Sequence, residues 1–265
     1  MPDQYSFPAE IAAWLPDVPL GRPLFPPLFC FAHAGGSAEI YRQWQKALSG
    51  SATIYPMELP GRGRRMAEPF CPSVALAARR AAQCVAACVP DSRYFIFGHS
   101  LGSIIALETV REIESLGIPT PALLFVSGRY PPHVMQNHKQ ALFRAPTPSL
   151  LDELRRLGGT PEDILQNRDF LDVLLPVVRD DFRLVETHTS AASPPVSCPI
   201  CVCCGDRDQD SPLPLLEEWA KLTTGGCTIH LFPGEHFYLY DTKNDMPDFL
   251  ARRIMGTAAQ DLTLR

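Results

Sequence analysis

Residues 94–110, YFIFGHSLGSIIALETV, run from an apolar stretch straight into Gly98-His99-Ser100-Leu101-Gly102 and on into a helical apolar pattern. A short aromatic and β-branched run followed at once by helical spacing marks a strand-to-helix turn. A serine with glycines two residues away on either side fits the nucleophile elbow at such a turn. There the strand enters, the chain reverses sharply, and the serine is lifted clear of the sheet. Side chains at the two glycine positions would collide with the neighbouring strand and helix. The helix N-terminus adds free N–H groups and a positive dipole where an oxyanion would develop. Ser100 is therefore the candidate nucleophile, against the plainer reading of a glycine-rich turn with a bystander serine.

The same kind of apolar run recurs outward from this turn: PLFCFAH (27–33), ATIYPMEL (52–59), ALLFVSG (122–128), CPICVCCG (198–205) and CTIHLFPG (227–234). Each is of strand length and bounded by Gly or Pro. Their continuous rather than alternating apolarity predicts strands buried on both faces of a mostly parallel sheet, with helices such as 73–89 and 104–116 packed on it. The fold class is α/β. From about 130 to 190 no strand is expected. Thr147-Pro148-Ser149-Leu150 opens one short helix and Thr160-Pro161-Glu162-Asp163 the next, with Thr160 as N-cap and Pro161 in the first turn. Leu171, Leu174, Leu175, Val178, Phe182 and Val185 follow at helical spacing. This insertion is either a lid over the site or an extra packing layer.

Composition bounds the function. The 265 residues are 46% hydrophobic and 20% charged, which suits a packed core, and the net charge of −5 argues against nucleic-acid binding. The opening MPDQYSFPAEIAAWLP lacks the basic and apolar regions of a secretory signal, and no run approaches the roughly 20 apolar residues of a membrane span. With an odd number of cysteines, nine, the expectation is a reduced cytoplasmic protein with free thiols. Cys198, Cys201, Cys203 and Cys204 include a C-x-x-C spacing. They lie in one strand, where alternation sends Cys203 and Cys204 to opposite faces, and no second ligand pair matches them. Small buried apolar residues are the better account, and no metal or cofactor is expected.

A serine hydroxyl needs a base. Of the seven histidines, His99 should pack beside the elbow and His230 inside its strand, while His133, His138 and His188 should face solvent near the insertion. His236, in GEHFYLY after the last strand, can drop over the sheet end and completes the order Ser…Asp…His. The acid should lie between, and Gly205-Asp206-Arg207-Asp208-Gln209-Asp210 offers three carboxylates. Asp208 is the choice because the turn must begin at Gly205 before a side chain can reach back; Asp206 is the alternative, as a turn or cap residue. Leu101 can supply one oxyanion N–H and Ala34, in FAHAGGS, the second, since Gly35 and Gly36 let the backbone approach a ligand.

FAHAGGSA (31–38), ELPGRGRR (58–65), FGHSLGS (97–103), LGGTPEDIL (157–165), GDRD (205–208) and GEHFYL (234–239) together resemble the type II thioesterases, the stand-alone α/β-hydrolases that accompany nonribosomal peptide and polyketide synthetases. The likeness runs in order over residues 25–240; LPGRGRR and LGGTP are its most specific parts. It implies a single α/β-hydrolase domain, residues 1–265, with a helical lid at 130–190. It also implies Ser100, Asp208 and His236 as the triad, Ala34 and Leu101 as oxyanion donors, no cofactor, and a monomer. The implied activity removes aberrant or stalled acyl or aminoacyl groups from the phosphopantetheine arm of carrier proteins. A fatty-acid chain-terminating thioesterase and a general small-molecule esterase are the rival activities, and a non-catalytic scaffold is a third reading. Arg62, Arg64, Arg65, Arg155 and Arg156 are candidate contacts for an acidic carrier protein, or solvated surface charges.

Overall fold

Six apolar runs give six strands: β1 (Pro27–Phe31), β2 (Thr53–Met57), β3 (Phe95–His99), β4 (Leu123–Ser127), β5 (Ile200–Gly205) and β6 (Cys227–Phe232). The computed structural model describes residues 9–16, 23–89, 93–134, 141–190 and 193–263. The strands form one sheet in the order β2-β1-β3-β4-β5-β6, parallel throughout. Nine α-helices accompany them among the described residues, besides short 3-10 turns: α1 (Ala9–Trp14), α2 (Arg42–Ala47), α3 (Val74–Cys88), α4 (Leu101–Ser115), α5 (Thr147–Leu157), α6 (Glu162–Gln166), α7 (Arg168–Thr187), α8 (Leu213–Leu216) and α9 (Met246–Thr263).

Both faces of the sheet are covered, which is why its strands are apolar at successive positions. Phe29, Ile96, Val126 and Cys204 pack on one face with Trp14 of α1, the alanines of α3, the isoleucines of α4 and Leu216 of α8. Cys30, Phe97, Phe125 and Cys203 point to the other, against Trp44 of α2 and Leu250 and Ile254 of α9. Cys203 and Cys204 thus part to opposite faces, as strand alternation requires. One expectation needs correction: β6 is only half-buried. It closes the sheet on one edge, so it has a neighbour on one side only.

No strand lies in the described part of 130–190. Helices α5 to α7 build a small core of their own from Leu150, Leu154, Leu165 and Val178, while Leu184 near the end of α7 joins the core of the sheet. Helix α5 opens at Thr147 as expected, whereas the cap of α6 differs from the expected one by a residue. Pro161, not Thr160, occupies the capping position of α6, and Pro146 that of α5, neither with a side-chain cap. Proline pre-sets the backbone angle entering a helix, so the caps are conformational rather than hydrogen-bonded.

The strand order reverses between β1 and β3: from β1 the chain moves outward to β2, then returns across β1 to β3. In an open parallel sheet, ligands bind beyond the carboxyl ends of the strands at such a switch. Ser100 follows β3 there, and the HAGG loop follows β1. No helix among the described residues is long and apolar enough to cross a membrane.

Candidate active site

Ser100 has φ 54° and ψ −114°, a strained conformation for a residue with a side chain. The two flanking glycines explain how the turn is held. A Cβ at Gly98 would overlap the Gly102 carbonyl and lie 2.6 Å from the Ser103 nitrogen, so the start of α4 packs directly on the strand. A Cβ at Gly102 would overlap the Phe31 carbonyl and lie 2.8 Å from that of Ala32, so α4 also rests on β1. Buried Ser103 braces the turn: its hydroxyl lies 2.8 Å from the Gly98 carbonyl and accepts the Ser127 N–H at 3.0 Å.

His236 and Asp208 are brought together at the ends of β6 and β5. His236 Nδ1 lies 2.9 Å from Asp208 Oδ2, and both residues are buried. The three neighbouring carboxylates have separate partners. Asp208 Oδ1 also accepts the Asp210 N–H at 3.1 Å, Asp206 accepts the Gly234 N–H at 2.9 Å, and Asp210 pairs with Arg156 at 2.7 Å. Asp206 is therefore the turn residue between the two loops. A Cβ at Gly205 would collide with the carbonyls of Gly234 and Glu235, so this glycine lets the two loops approach. Cys204 Sγ lies 3.7 Å from Asp208 Oδ2 beneath it, a contact the sequence did not advertise.

Ser100, His236 and Ala34 line one cavity of about 720 Å³. The insertion supplies much of its lining, apolar at Leu154, Leu174, Val178 and Phe182 and charged at Glu153, Arg156 and Glu186. A volume of this size suits a small organic group. In the HAGG loop the Gly35 N–H donates to Asp181 Oδ2 at 2.7 Å and the Gly36 N–H to the His33 carbonyl at 3.0 Å. Leu101 is the first residue of α4, so its N–H has no partner within its own helix.

Two rings pack on His236, His99 at 5.1 Å and Phe237 at 5.0 Å between centres, and sequence reasoning did not single out Phe237 or the His33 and Tyr240 rings behind it. Phe237 lies 5.0 Å from His236, 4.8 Å from His33 and 5.5 Å from His99 between ring centres. His33 accepts from or donates to Tyr240 at 2.8 Å and sits 2.9 Å from the Ala34 carbonyl. The carbonyl can only accept, which puts the proton on Nδ1 and makes Tyr240 the donor to Nε2. Burial pulls His33 down to about 4 and His99 well below its ordinary value, so both stay neutral beside His236. The LGGTP turn joins this cluster: a Cβ at Gly159 would overlap the Phe237 ring, so the insertion bears on the residue next to His236.

The remaining histidines divide. His99 is fully buried and bonds Ser127 at 2.9 Å, and His230 packs on Phe249 at 4.9 Å, both as expected. His133 is exposed, but His188 does not face solvent: it is half-buried against Glu108 at 3.1 Å. His138 lies outside the described residues. Two of the five arginines are also corrected. Arg62 is buried against Asp181 and Arg65 against Glu68, so neither offers its charge to a partner. Arg64, Arg155 and Arg156 are at the surface, where Arg155 pairs with Asp152 and Glu162 and Arg156 with Glu153 and Asp210.

A family profile described as a thioesterase domain matches residues 26–255. The chain belongs to the thioesterase family. It is 35% identical to thioesterase PikA5 of Streptomyces venezuelae over 87% of this chain and 81% of that one. Among solved structures it resembles ClbQ from the colibactin NRPS/PKS pathway, with 32% identity and a TM-score of 0.82 over 89% of this chain and 99% of that one. It also resembles the type II thioesterase BorB from the borrelidin biosynthetic cluster, with 31% identity and a TM-score of 0.79 over 88% and 94%. The α/β architecture and the activity class expected from the sequence agree with this membership: the protein is a thioester hydrolase.

Proposed function

We propose that this thioesterase is an editing enzyme of the type II class, hydrolysing acyl and aminoacyl groups from the phosphopantetheine arm of carrier proteins in nonribosomal peptide or polyketide synthesis. Ser100 is the nucleophile, His236 the general base and Asp208 the acid. Ala34 and Leu101 donate the oxyanion N–H groups, and the helices from 130 to 190 are the lid. The whole chain acts as a single domain and a monomer.

One observation carries the chemistry: a strained serine opens onto the same cavity as a histidine whose Nδ1 is held by a buried aspartate. With the Nδ1 proton donated to Asp208, Nε2 keeps its lone pair for the Ser100 hydroxyl. Ser100 Oγ forms a bond to the thioester carbon as its proton passes to His236, and the carbonyl pair moves to oxygen. That oxyanion needs donors already in place, and with the Gly35 and Gly36 N–H groups engaged elsewhere, the loop has the Ala34 N–H to give. Collapse expels the thiolate, which the imidazolium can protonate. Water, deprotonated by His236, then releases the acid from the acyl-enzyme.

The carrier-protein substrate is supported by the pathways named for ClbQ and BorB and by the order of HAGG, LPGRGRR, LGGTP, GDRD and GEHF along the chain. The test follows intact carrier proteins loaded with acetyl or an aminoacyl group by mass spectrometry. Loss of acyl mass with wild type but not with Ser100→Ala, and faster than from matched oxygen esters or acyl-CoA, is the expected result. An untouched carrier beside rapidly cleaved small esters would make the protein a general esterase. A preference for medium acyl chains would move it to fatty-acid release.

A further inference from the structure

The HAGG loop is anchored from outside by one buried ion pair. Asp181 of α7 and Arg62 of the LPGRGRR segment have side chains 0% and 4% exposed and meet through two bonds of 2.6 and 2.7 Å. The pair does more than neutralise itself. Asp181 Oδ2 also takes the Gly35 N–H at 2.7 Å, and Arg62 Nη1 reaches the Gly36 carbonyl at 3.4 Å. Gly35 sits at φ +79°, and a Cβ there would come within 2.9 Å of Val178 on the same helix. Helix α7 therefore lies against the loop with no spare room, and its carboxylate grips the peptide that follows Ala34.

A buried ion pair is weak evidence of stabilisation, because two apolar side chains of similar volume often serve as well. What an apolar pair cannot do is accept the Gly35 N–H. We propose that Asp181 is a positioning residue for the oxyanion loop: with Arg62 it fixes the Gly35–Gly36 segment so that the Ala34 N–H faces the developing oxyanion. This rests on the function proposed above and adds a consequence to it. The loop is set for chemistry only while α7 is seated, so the insertion contributes to the transition state as well as covering the cavity.

The test compares wild type, Asp181→Asn and the double variant Arg62→Met/Asp181→Leu. Each is given a soluble acyl thioester, a trifluoromethyl ketone with the same acyl chain, and the matching unreactive amide. Ser100 Oγ adds to the ketone carbon, its proton passing to His236 and the π pair to oxygen, so ketone affinity reads the oxyanion donors while amide affinity reads ground-state binding. In Asp181→Asn, kcat is expected to fall about 100-fold with KM and amide affinity unchanged, and ketone affinity to fall in parallel with kcat. The double variant removes both charges of the pair, leaves Glu58 beside Arg65 and Asp180 paired with Arg183, and is expected to fold, yet to remain as slow. A double variant restored to wild-type rate, or equal loss of ketone and amide affinity in either variant, would show that the pair only holds the fold. A wild-type protein that cleaves no thioester and forms no ketone adduct would instead remove the proposed function, a result read before any variant is made.

Discussion

At the scale of single residues, three aspartates within five positions differ by what each carboxylate already holds. Asp208 faces His236, whereas Asp206 is engaged with the Gly234 N–H and Asp210 with Arg156. Asp208→Asn is therefore expected to lower kcat about 10⁴-fold by favouring the wrong imidazole tautomer. Asp206→Asn should keep near-wild-type kcat and cost at most about 1 kcal/mol of stability. Steady-state kinetics on one thioester checks both; the reverse ranking would reassign the acid. His33 makes a second prediction. Its ordinary value is 6.5 and burial lowers it to about 4, so below pH 6.5 the unfolded chain binds a proton that the folded chain refuses. Stability is then lost as pH falls from 6.5 towards 4, at up to about 1.4 kcal/mol per unit, and His99 acts in the same direction. Thermal melts of wild type should drop across that window more steeply than those of His33→Gln. Parallel pH curves would refute the assignment.

At the scale of elements, what matters is whether a clash meets backbone or a movable side chain. A methyl at Gly98 meets the backbone of α4, which cannot yield without moving the strand. Gly98→Ala should cost about 3 kcal/mol, the upper end for overpacking, and fail to fold at working temperature. A methyl at Gly159 meets only the Phe237 ring, which can swing. Gly159→Ala should cost nearer about 1 kcal/mol while lowering kcat, because Phe237 adjoins His236. Denaturant titration with kinetics on the same samples separates the two; equal stability losses would contradict this reading. The elbow was legible in the sequence because its constraints are local, a strand, a turn and a helix within nine residues. The place of Gly159 was not, since its partner lies some eighty residues further along the chain.

At the scale of the molecule, two large cores on the sheet faces contrast with the small cluster of α5 to α7. Local opening follows buried apolar contact, so backbone amides over 147–166 should exchange with deuterium far faster than those of β3 and β4. Uniform protection would mean that the insertion is an integral layer rather than a separable one. The six strands, the helical insertion, the elbow and the loops that carry Ala34, Asp208 and His236 can all be read from the chain alone. Those signals are written in short apolar runs and in glycines whose neighbours in space are also neighbours in the chain. The tertiary structure alone settles that Arg62 is buried rather than presented, that Asp181 grips the HAGG loop, that Phe237 packs on both His236 and His33, and that β6 lies open on one edge. Each depends on which distant segments the strand order brings side by side, and no local pattern in a chain encodes the charge or shape of a partner a hundred residues away.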